Sequence, residues 1–416
     1  MRQLLHLLIV DRERHRAIVQ WLNGRWLLPT IVCSERARAP LAAATWLRER
    51  DLSGLVVGQW AGRIAPAGSA VDWLMAISVA GDAVPGTCSW CPIDRLASHR
   101  ALIEYQGSAT ATVLSRACPG VRGPFGTFGW IDAASAWVAR VTGARCQPAV
   151  CYRTSSHEVV VAYSCAGITL YFKGVAEDCA SSAVAESEAA RAAPESFSRT
   201  LAQERRHDGA IWTLTSSCAG EPFRGPPLDH SIAVRIASDI ARLQRRLRCD
   251  IALQSVLKPL DLDHTRAVMT TLLARPGCSP SHARVEAAFE YVANIETGWM
   301  PTDLDPANVR VSANSLQYFD LDARLAAPPL AIAIFSRRIE QRSADGCIEM
   351  SQHIRGAFEA AWRENVPWAA IDIVSGIVEL TMGWERVQRN IQRGELAGDV
   401  EIVEQRIAQR LFQLIR

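Results

Sequence analysis

Three polar residues in the C-terminal half of the chain could together carry out phosphoryl transfer. Asp303 and Asn308 lie in the segment Pro-Thr-Asp-Leu-Asp-Pro-Ala-Asn-Val (301–309), and Asp320 follows a short apolar run that ends at Phe319. Transfer of a phosphoryl group needs a carboxylate at the attacking hydroxyl and oxygen ligands for the metal ion on the phosphates. We therefore expect Asp303 to be the general base, and Asn308 and Asp320 to bind Mg2+.

A cation for the nucleotide phosphates occurs upstream of this segment. Lys173 ends the β-rich run Thr169-Leu-Tyr-Phe-Lys, and a lysine on a strand can bind the α- and β-phosphates. The carboxylate that orients it is expected on the next helix as Glu188, with Glu186 as the second choice. Singly, such residues are commonly solvated or located in turns. Their order along the chain favours the catalytic interpretation of the whole set.

Short elements of alternating type must position these residues. Between residues 130 and 220 the patterns predict a helix at 131–142, strands at 158–163 and 169–172 joined by a turn at 164–167, a helix at 183–193, and a strand at 210–215. A polar segment follows the last strand. Strand, strand, helix, strand and polar hinge is the order of a kinase N-lobe.

The remainder of the chain is predicted to be mostly helical. Apolar residues repeat at helical spacing from Ile232 to Leu247, and the arginines between them are expected to form a solvated face. Helices are also expected after Cys347, with breaks at Pro367 and near 394–398.

Residues 130–416 resemble the aminoglycoside phosphotransferase family, the small-molecule branch of the protein-kinase-like fold. The H-G-D-x-x-x-x-N loop of that family corresponds to residues 301–308, and its I-D-W-D segment corresponds to residues 319–322. Its nucleotide hinge corresponds to residues 212–220. The resemblance implies a bilobal fold that uses ATP or GTP with Mg2+.

The resemblance also implies how the nucleotide is held. Backbone groups around Ser216, Ser217 and Cys218 would bind the adenine, and Ser155 and Ser156 would donate hydrogen bonds to phosphate. The acceptor would be a small molecule with a hydroxyl group, such as a sugar, an aminoglycoside-like compound or another natural product.

The C-terminal helices contain candidates for acceptor binding. Three carboxylates and two tryptophans occur there: Asp372, Glu379, Glu385, Trp368 and Trp384. They could hold a cationic or sugar-bearing ligand. The alternative, which we favour, is that the carboxylates are solvated and the tryptophans belong to the core.

The first part of the chain resembles a Nudix hydrolase fold. Residues 24–29, Gly-Arg-Trp-Leu-Leu-Pro, match the strand that precedes the catalytic helix in that family. The glutamates that hold magnesium in Nudix enzymes are missing, because the predicted helix at 40–51 offers only Glu49. A non-catalytic domain is therefore expected, and pyrophosphate hydrolysis is disfavoured.

Composition limits the classes of partner. The chain has 416 residues with 45 basic and 43 acidic side chains, and a net charge of +2 gives no sign of a nucleic-acid binder. No apolar stretch has the length of a membrane span, so a cytoplasmic protein is expected. The 12 cysteines are dilute, and Cys88-Ser-Trp-Cys91 is expected to be a turn without metal or redox function. The oligomeric state is left open.

The expected fold class is α+β, with a bilobal protein-kinase-like fold preceded by a small α/β Nudix-like domain. The predicted divisions are a degenerate Nudix-like domain at 1–116, a linker at 117–129, an N-lobe at 130–220 and a helical C-lobe at 221–416. Pro301 and Thr302 replace the histidine and glycine of the family loop. Two functions follow as hypotheses: an active small-molecule kinase, or a scaffold in which both folds have lost activity.

Overall fold

The mixed α+β composition predicted from the sequence is confirmed by the computed structural model. The structure describes residues 2–11, 16–22, 25–33, 39–52, 54–64, 70–79, 84–93, 95, 123–125, 129–155, 157–223, 229–273, 282–342, 348–392 and 409. These residues divide into two compact units. The first contains residues 1–177, 201–215 and 387–400, and the second contains residues 178–200, 216–386 and 401–416.

The N-terminal part of the first unit is a mixed sheet with one helix. Its elements are β1 (Arg2–Asp11), β2 (Arg16–Leu22), β3 (Arg25–Leu27), β4 (Thr30–Cys33), α1 (Ala39–Arg48), β5 (Gly54–Ile64), β6 (Ala70–Val79) and β7 (Cys88–Pro92). In the described residues the seven strands include a path β3-β2-β1-β6-β5, in which β1 and β6 are parallel. The run from Leu5 to Val10 is buried on both faces, as expected for a strand in the centre of a sheet.

The strand expected at 24–29 and the helix expected at 40–51 correspond to β3 and α1, but the resemblance to a Nudix fold stays a prediction. Glu49, the one carboxylate predicted near the helix, follows α1 and lies 3.5 Å from Arg50. The Cys88–Cys91 segment, expected to be a turn, is instead strand β7 and pairs with β2. Burial raises the pKa of both thiols. The predicted linker at 117–129 lies mostly outside the described residues.

The rest of the first unit contains a helix and a five-stranded sheet. The elements are α2 (Trp130–Thr142), β8 (Cys146–Thr154), β9 (Glu158–Cys165), β10 (Ile168–Val175), β11 (Thr200–Arg205) and β12 (Ile211–Ser216). The described strands are ordered β11-β12-β10-β9-β8, and β9 pairs antiparallel with both β8 and β10. Ala166 and Gly167 both have positive φ and join β9 to β10, which is the geometry of a two-residue hairpin turn. The predicted hairpin is confirmed.

An aromatic cluster fills the space between α2 and this sheet. Trp137 makes edge contacts with Phe172 and Trp212, at 5.9 and 5.8 Å between ring centroids. At the end of β8, Cys146 forms a disulfide with Cys165 of β9, directly opposite it in the ladder. The disulfide joins β8 to β9, and Phe172 of the cluster precedes Lys173 in β10.

The second unit is mainly helical. Its helices are α3 (Ala180–Ala192), α4 (His230–Leu247), α5 (Ile251–Val256), α6 (Leu262–Leu273), α7 (His282–Ala293), α8 (Pro329–Arg342), α9 (Ile348–Trp362) and α10 (Trp368–Gln392). Its short strands are β13 (Glu221–Pro222), β14 (Gly298–Pro301), β15 (Val309–Val311), β16 (Leu316–Tyr318) and β17 (Ala323–Ala326). Among the described residues, none of the helices combines the length and hydropathy that a membrane span requires.

Helix α4 lies at the centre of the helical core, and its predicted apolar face is confirmed. Ile236, Ile240 and Leu247 are fully buried. The arginines are largely exposed, as expected, but they also join α4 to its neighbours: Arg245 donates to the carbonyl of Ala361 at 3.3 Å. The break expected at Pro367 is present between α9 and α10, whereas the one near 394–398 lies outside the described residues.

Helix α5 begins at an aspartate whose contribution to stability should depend on pH. The carboxylate of Asp250 accepts from the amide of Leu253 at 2.9 Å and from the guanidinium of Arg191 at 2.9 Å. These hydrogen bonds lower the pKa of Asp250 in the folded protein. Because the folded pKa lies below the unfolded one, the stabilisation is present above about pH 4 and is lost as the pH falls through the folded pKa.

We expect Asp250→Ala to lower the free energy of unfolding by about 1 kcal/mol at pH 7, the usual effect of losing a helix N-cap. Urea denaturation at a series of pH values measures this difference, which should shrink as the pH falls below about 4. Asp263→Ala is the matched control, because its side chain is 94% exposed and lies 3.8 Å from Arg266. Equal losses in the two variants would contradict the capping role.

Candidate active site

Two short strands bring the 301–309 loop and the 319–322 segment together. Strand β14 pairs with β17, so that Pro301 lies opposite Ala323. Directly after β14, the amide and the hydroxyl of Thr302 donate to the carbonyl of Asp322, at 2.8 and 3.2 Å. The segment that follows β14 is therefore hydrogen-bonded to the segment that precedes β17. Asp303 lies on the first segment and Asp320 on the second.

The loop continues into a short 3-10 turn that positions Asn308. Asp305 caps this turn by accepting from the amide of Ala307 at 2.7 Å, and Pro306 occupies its first position. Asn308 is buried, and its Nδ2 donates to the carbonyls of Asp303 at 3.1 Å and Asp320 at 3.3 Å. All three residues that the sequence predicted to act together therefore meet in the structure. With Nδ2 used in this way, Oδ1 is the atom of Asn308 that can bind a metal ion.

Asp320 adopts a backbone conformation that few residue types accept. Its φ is +54°, in the left-handed region where aspartate and asparagine are enriched among residues other than glycine. Its amide donates to Oε1 of Glu186 at 2.7 Å. This backbone conformation changes the direction of the Asp320 side chain shortly after β16. Such conformations are concentrated at functional sites.

The two candidate carboxylates on α3 have different partners. Glu186 is hydrogen-bonded to Asp320, as described above. Glu188, the first choice from the sequence, forms an ion pair at 2.6 Å with Arg191 three residues along the same helix. The structure therefore brings the second choice, Glu186, into the group around Asp320, and it gives Glu188 a partner on the helix surface. The role of Glu188 stays a prediction.

Arg338 on α8 contacts three consecutive residues of the loop. Its Nη1 lies 3.1 Å from Oδ1 of Asp303 and 3.3 Å from the carbonyl of Leu304, and its Nη2 lies 3.3 Å from the carbonyl of Thr302. Its Nε donates to Glu379 of α10 at 3.1 Å. The guanidinium is only 19% exposed, so it fixes the orientation of the Asp303 carboxylate.

Sequence reasoning missed Arg338, although a signal was present. The charged pair at 337–338 directly follows a buried apolar run at 330–335 on the same helix. Charges at the end of such a run need partners, because burying an unpaired charge costs several kcal/mol.

The predicted hinge residues are ordered by contacts within the second unit. Ser216 forms two hydrogen bonds with Arg199, one through its amide and one through its hydroxyl. The hydroxyl of Ser217 donates to the carbonyl of Cys218 at 3.3 Å. Burial raises the pKa of the Cys218 thiol to about 11, so this cysteine is a neutral residue of the hinge. The structure does not test adenine binding.

The remaining predicted residues lie in the first unit. Lys173 is a half-buried residue of β10, opposite Val160 of β9. Ser155 closes the turn after β8, where its hydroxyl accepts from the amides of His157 at 3.1 Å and Glu158 at 2.9 Å. Ser156 lies outside the described residues. The proposed phosphate contacts of Ser155, Ser156 and Lys173 stay predictions.

The chemistry of the residues at the loop fits Mg2+. Within the described part of the chain, no three His, Cys, Asp or Glu side chains form a metal cluster. Asp320 and Asn308 instead supply one carboxylate and one amide oxygen, the hard ligands that Mg2+ accepts while it keeps water and phosphate ligands. The carboxylate of Asp322, two residues further on, is paired instead with Arg324, whose Nη2 lies 4.0 Å from Oδ2.

Comparisons with known proteins gave matches among solved structures alone. No family model matches the chain, and no curated protein matches it. Amicoumacin kinase hAmiN, in a complex with AMP-PNP, Ca2+ and Ami, is 10% identical, and the match covers 68% of this chain and 95% of that one, with a TM-score of 0.48.

Two bacterial proteins of related description are also similar. A predicted aminoglycoside phosphotransferase from Ralstonia eutropha JMP134 is 10% identical over 68% of this chain and 98% of that one, with a TM-score of 0.47. A choline/ethanolamine kinase family protein from Mesorhizobium loti is 14% identical over 62% of this chain and 85% of that one, with a TM-score of 0.44.

Proposed function

We propose that the chain is a Mg2+-dependent phosphotransferase that moves the γ-phosphoryl group of ATP or GTP to a hydroxyl of a small molecule. One observation carries the proposal: Nδ2 of Asn308 is hydrogen-bonded to the backbone of both Asp303 and Asp320. This arrangement supports a base at Asp303 next to metal ligands at Asn308 and Asp320. A protein-kinase-like fold for residues 130–416 is part of the same proposal.

The carboxylate of Asp303, the candidate base, is oriented before an acceptor binds. Arg338 binds Oδ1 of Asp303, so Oδ2 is the oxygen that we assign to the acceptor hydroxyl. As the oxygen of that hydroxyl attacks the γ-phosphorus, its proton passes to Asp303 and the bond to the β-phosphate oxygen breaks. Fixing the carboxylate before the reaction reduces the entropy that must be lost in the transition state.

The metal side of the site depends on Asp320 and Asn308. Mg2+ bound there would neutralise the charge on the β- and γ-phosphates. The left-handed bend at Asp320 and the double hydrogen bond of Asn308 fix both backbones relative to Asp303. In the same proposal Lys173 contacts the α- and β-phosphates, and hinge residues 216–218 bind the base.

A scaffold without activity is the second candidate, and the ion pair between Asp303 and Arg338 favours it. Nη1 of Arg338 lies 3.1 Å from Oδ1 of Asp303, so an acceptor hydroxyl would approach a carboxylate that already has a cationic partner. Pro301 in place of the family histidine points in the same direction.

Nucleotide binding separates the two candidates. For the kinase, we expect ATP or GTP with Mg2+ at 100–1,000 times the dissociation constant to stabilise the full-length protein by about 3–4 kcal/mol. Thermal unfolding with Mg2+, and with EDTA in its place, measures this effect, and ADP or GDP formation with a panel of hydroxyl compounds measures transfer. A nucleotide without Mg2+ should stabilise the protein much less. If neither nucleotide changes the melting temperature with Mg2+ present, the kinase proposal fails and the scaffold is favoured.

A further inference from the structure

Two of the three carboxylates that the sequence offered for acceptor binding are paired with arginines in the structure. Glu379 binds Arg338 at 3.1 Å and also Arg337 at 3.3 Å. Asp372, two turns earlier on α10, lies 2.9 Å from Arg355 of α9. These are the acidic groups that a positively charged acceptor near Asp303 would need.

The third carboxylate contacts a histidine, which is a cation only when it is protonated. Glu385, near the end of α10, lies 3.0 Å from Nε2 of His264 on α6. The candidate base itself is bound to Arg338. Arg337 also has partners within the protein, because its Nε faces Glu379 and its Nη2 donates to Ser375 at 2.7 Å. The carboxylates of Asp303 and Glu379 are therefore matched by the guanidinium groups of Arg337 and Arg338.

Burial makes this pairing effective. The side chains of Arg338, Arg337 and Arg355 are 19%, 20% and 26% exposed, so water screens them less than surface ions. Burial raises the pKa of Asp372, although Arg355 beside it acts in the opposite direction. The charged form of this carboxylate is therefore poorly solvated. A polycation could bind here only by displacing these guanidinium groups.

The sequence of the remaining C-terminal segments does not alter this balance. Residues 393–416 contain as many arginines as acidic residues, and residues 221–416 as a whole contain nearly equal numbers of basic and acidic side chains. The acceptor region therefore lacks the large negative charge that a compound with several ammonium groups requires.

We infer that the acceptor is an uncharged hydroxyl compound, such as a neutral sugar or glycoside, and that polycationic aminoglycosides do not bind. This inference rests on the proposed function, because it assumes that the acceptor hydroxyl reaches Asp303. Specificity would arise because the ion-paired carboxylates have no net charge left to attract an ammonium group, and removing a guanidinium group from its pair costs free energy.

Kanamycin serves as the polycationic probe, in calorimetric titrations of the full-length protein at low ionic strength. For the wild type we expect no saturable binding up to about 1 mM, an affinity weaker than about −4 kcal/mol. Saturable binding that weakens with added salt would overturn the inference. Such a result would leave the proposed kinase activity intact, because that activity is tested separately by the Mg2+-dependent nucleotide stabilisation of the same samples.

Two variants test whether the paired carboxylates face the acceptor. Arg338→Gln frees Asp303 and part of Glu379, and Arg355→Gln frees Asp372, so each should bind kanamycin at least tenfold more tightly than the wild type. Arg284→Gln is the matched control for the change in net charge, because Arg284 is exposed on α7, and it should not gain affinity. If both variants melt cooperatively and neither gains affinity, these carboxylates do not face the acceptor and the inference fails.

Turnover provides a second measure. With pairs of acceptors that differ only by an amino group in place of a hydroxyl, such as glucose and glucosamine, we expect kcat/KM at least tenfold higher for the neutral member. A preference for the amino member would overturn the inference. If ADP forms with neither member of any pair, although the nucleotide stabilises the protein, the titrations with kanamycin decide.

Discussion

Asp303→Asn should lower turnover by about 10²–10⁴-fold, the usual contribution of a general base, while nucleotide affinity stays close to that of the wild type. The change removes the basic oxygen but keeps the size of the side chain. The carbonyl oxygen of asparagine can still accept from Nη1 of Arg338, which lies 3.1 Å from Oδ1 in the wild type. Initial rates of ADP formation and Mg2+-dependent nucleotide titrations measure the two quantities.

The loop supplies its own control for this substitution. Asp305 lies two residues further on and caps the 3-10 turn by accepting from the amide of Ala307. Asparagine is as good a cap as aspartate, so Asp305→Asn should retain both turnover and stability. Unchanged turnover in Asp303→Asn, or an equal loss in Asp305→Asn, would remove Asp303 from the role of base.

Asp320→Asn should largely abolish the Mg2+-dependent part of nucleotide binding, because it removes the single negative charge that we assign to the metal. Asparagine tolerates the positive φ of this position as well as aspartate does, so the backbone and its hydrogen bond to Glu186 should persist. Titration of nucleotide at several Mg2+ concentrations measures the loss. We expect the melting temperature without nucleotide to change little.

Asp322→Asn is the matched control for the metal ligand. Asp322 is an aspartate two residues away that contributes its backbone carbonyl to Thr302, and this contact does not depend on the side chain. The variant should keep most of the response to Mg2+. If Asp320→Asn binds the Mg2+–nucleotide complex as tightly as the wild type does, Asp320 is not a metal ligand.

Periodicity predicted most of the regular elements, for physical reasons that particular segments make clear. Helix α4 was predicted because its apolar residues recur at the helical period and all face one core. Strand β8 was missed, because Pro148 lies inside it and proline cannot donate to a ladder. The structure accommodates that proline at a register shift between Pro148 and Val150. Strand β11 was missed because its polar, alternating residues form an edge.

Some contacts of the candidate site join residues that are close in sequence, and others join residues that are far apart in sequence. The positions of Asp303, Asn308 and Asp320 relative to one another follow from a short stretch of chain, so their spacing was informative. Arg338 reaches the loop from a helix that begins after β17, and no local pattern encodes that contact. Whether Glu186 or Glu188 faces Asp320 depends on the rotation of α3 about its axis. The identities of these two residues do not determine that rotation.

The double hydrogen bond of Asn308 has a consequence for the kind of residue that this position can hold. An aspartate would offer Mg2+ a full negative charge, but it has no N–H group. Its second oxygen would then face the carbonyl oxygens of Asp303 and Asp320, which now lie 3.1 and 3.3 Å from Nδ2. Three oxygens with no proton between them repel one another. The loop therefore needs an amide, whose nitrogen joins the two segments and whose oxygen remains for the metal ion that we propose.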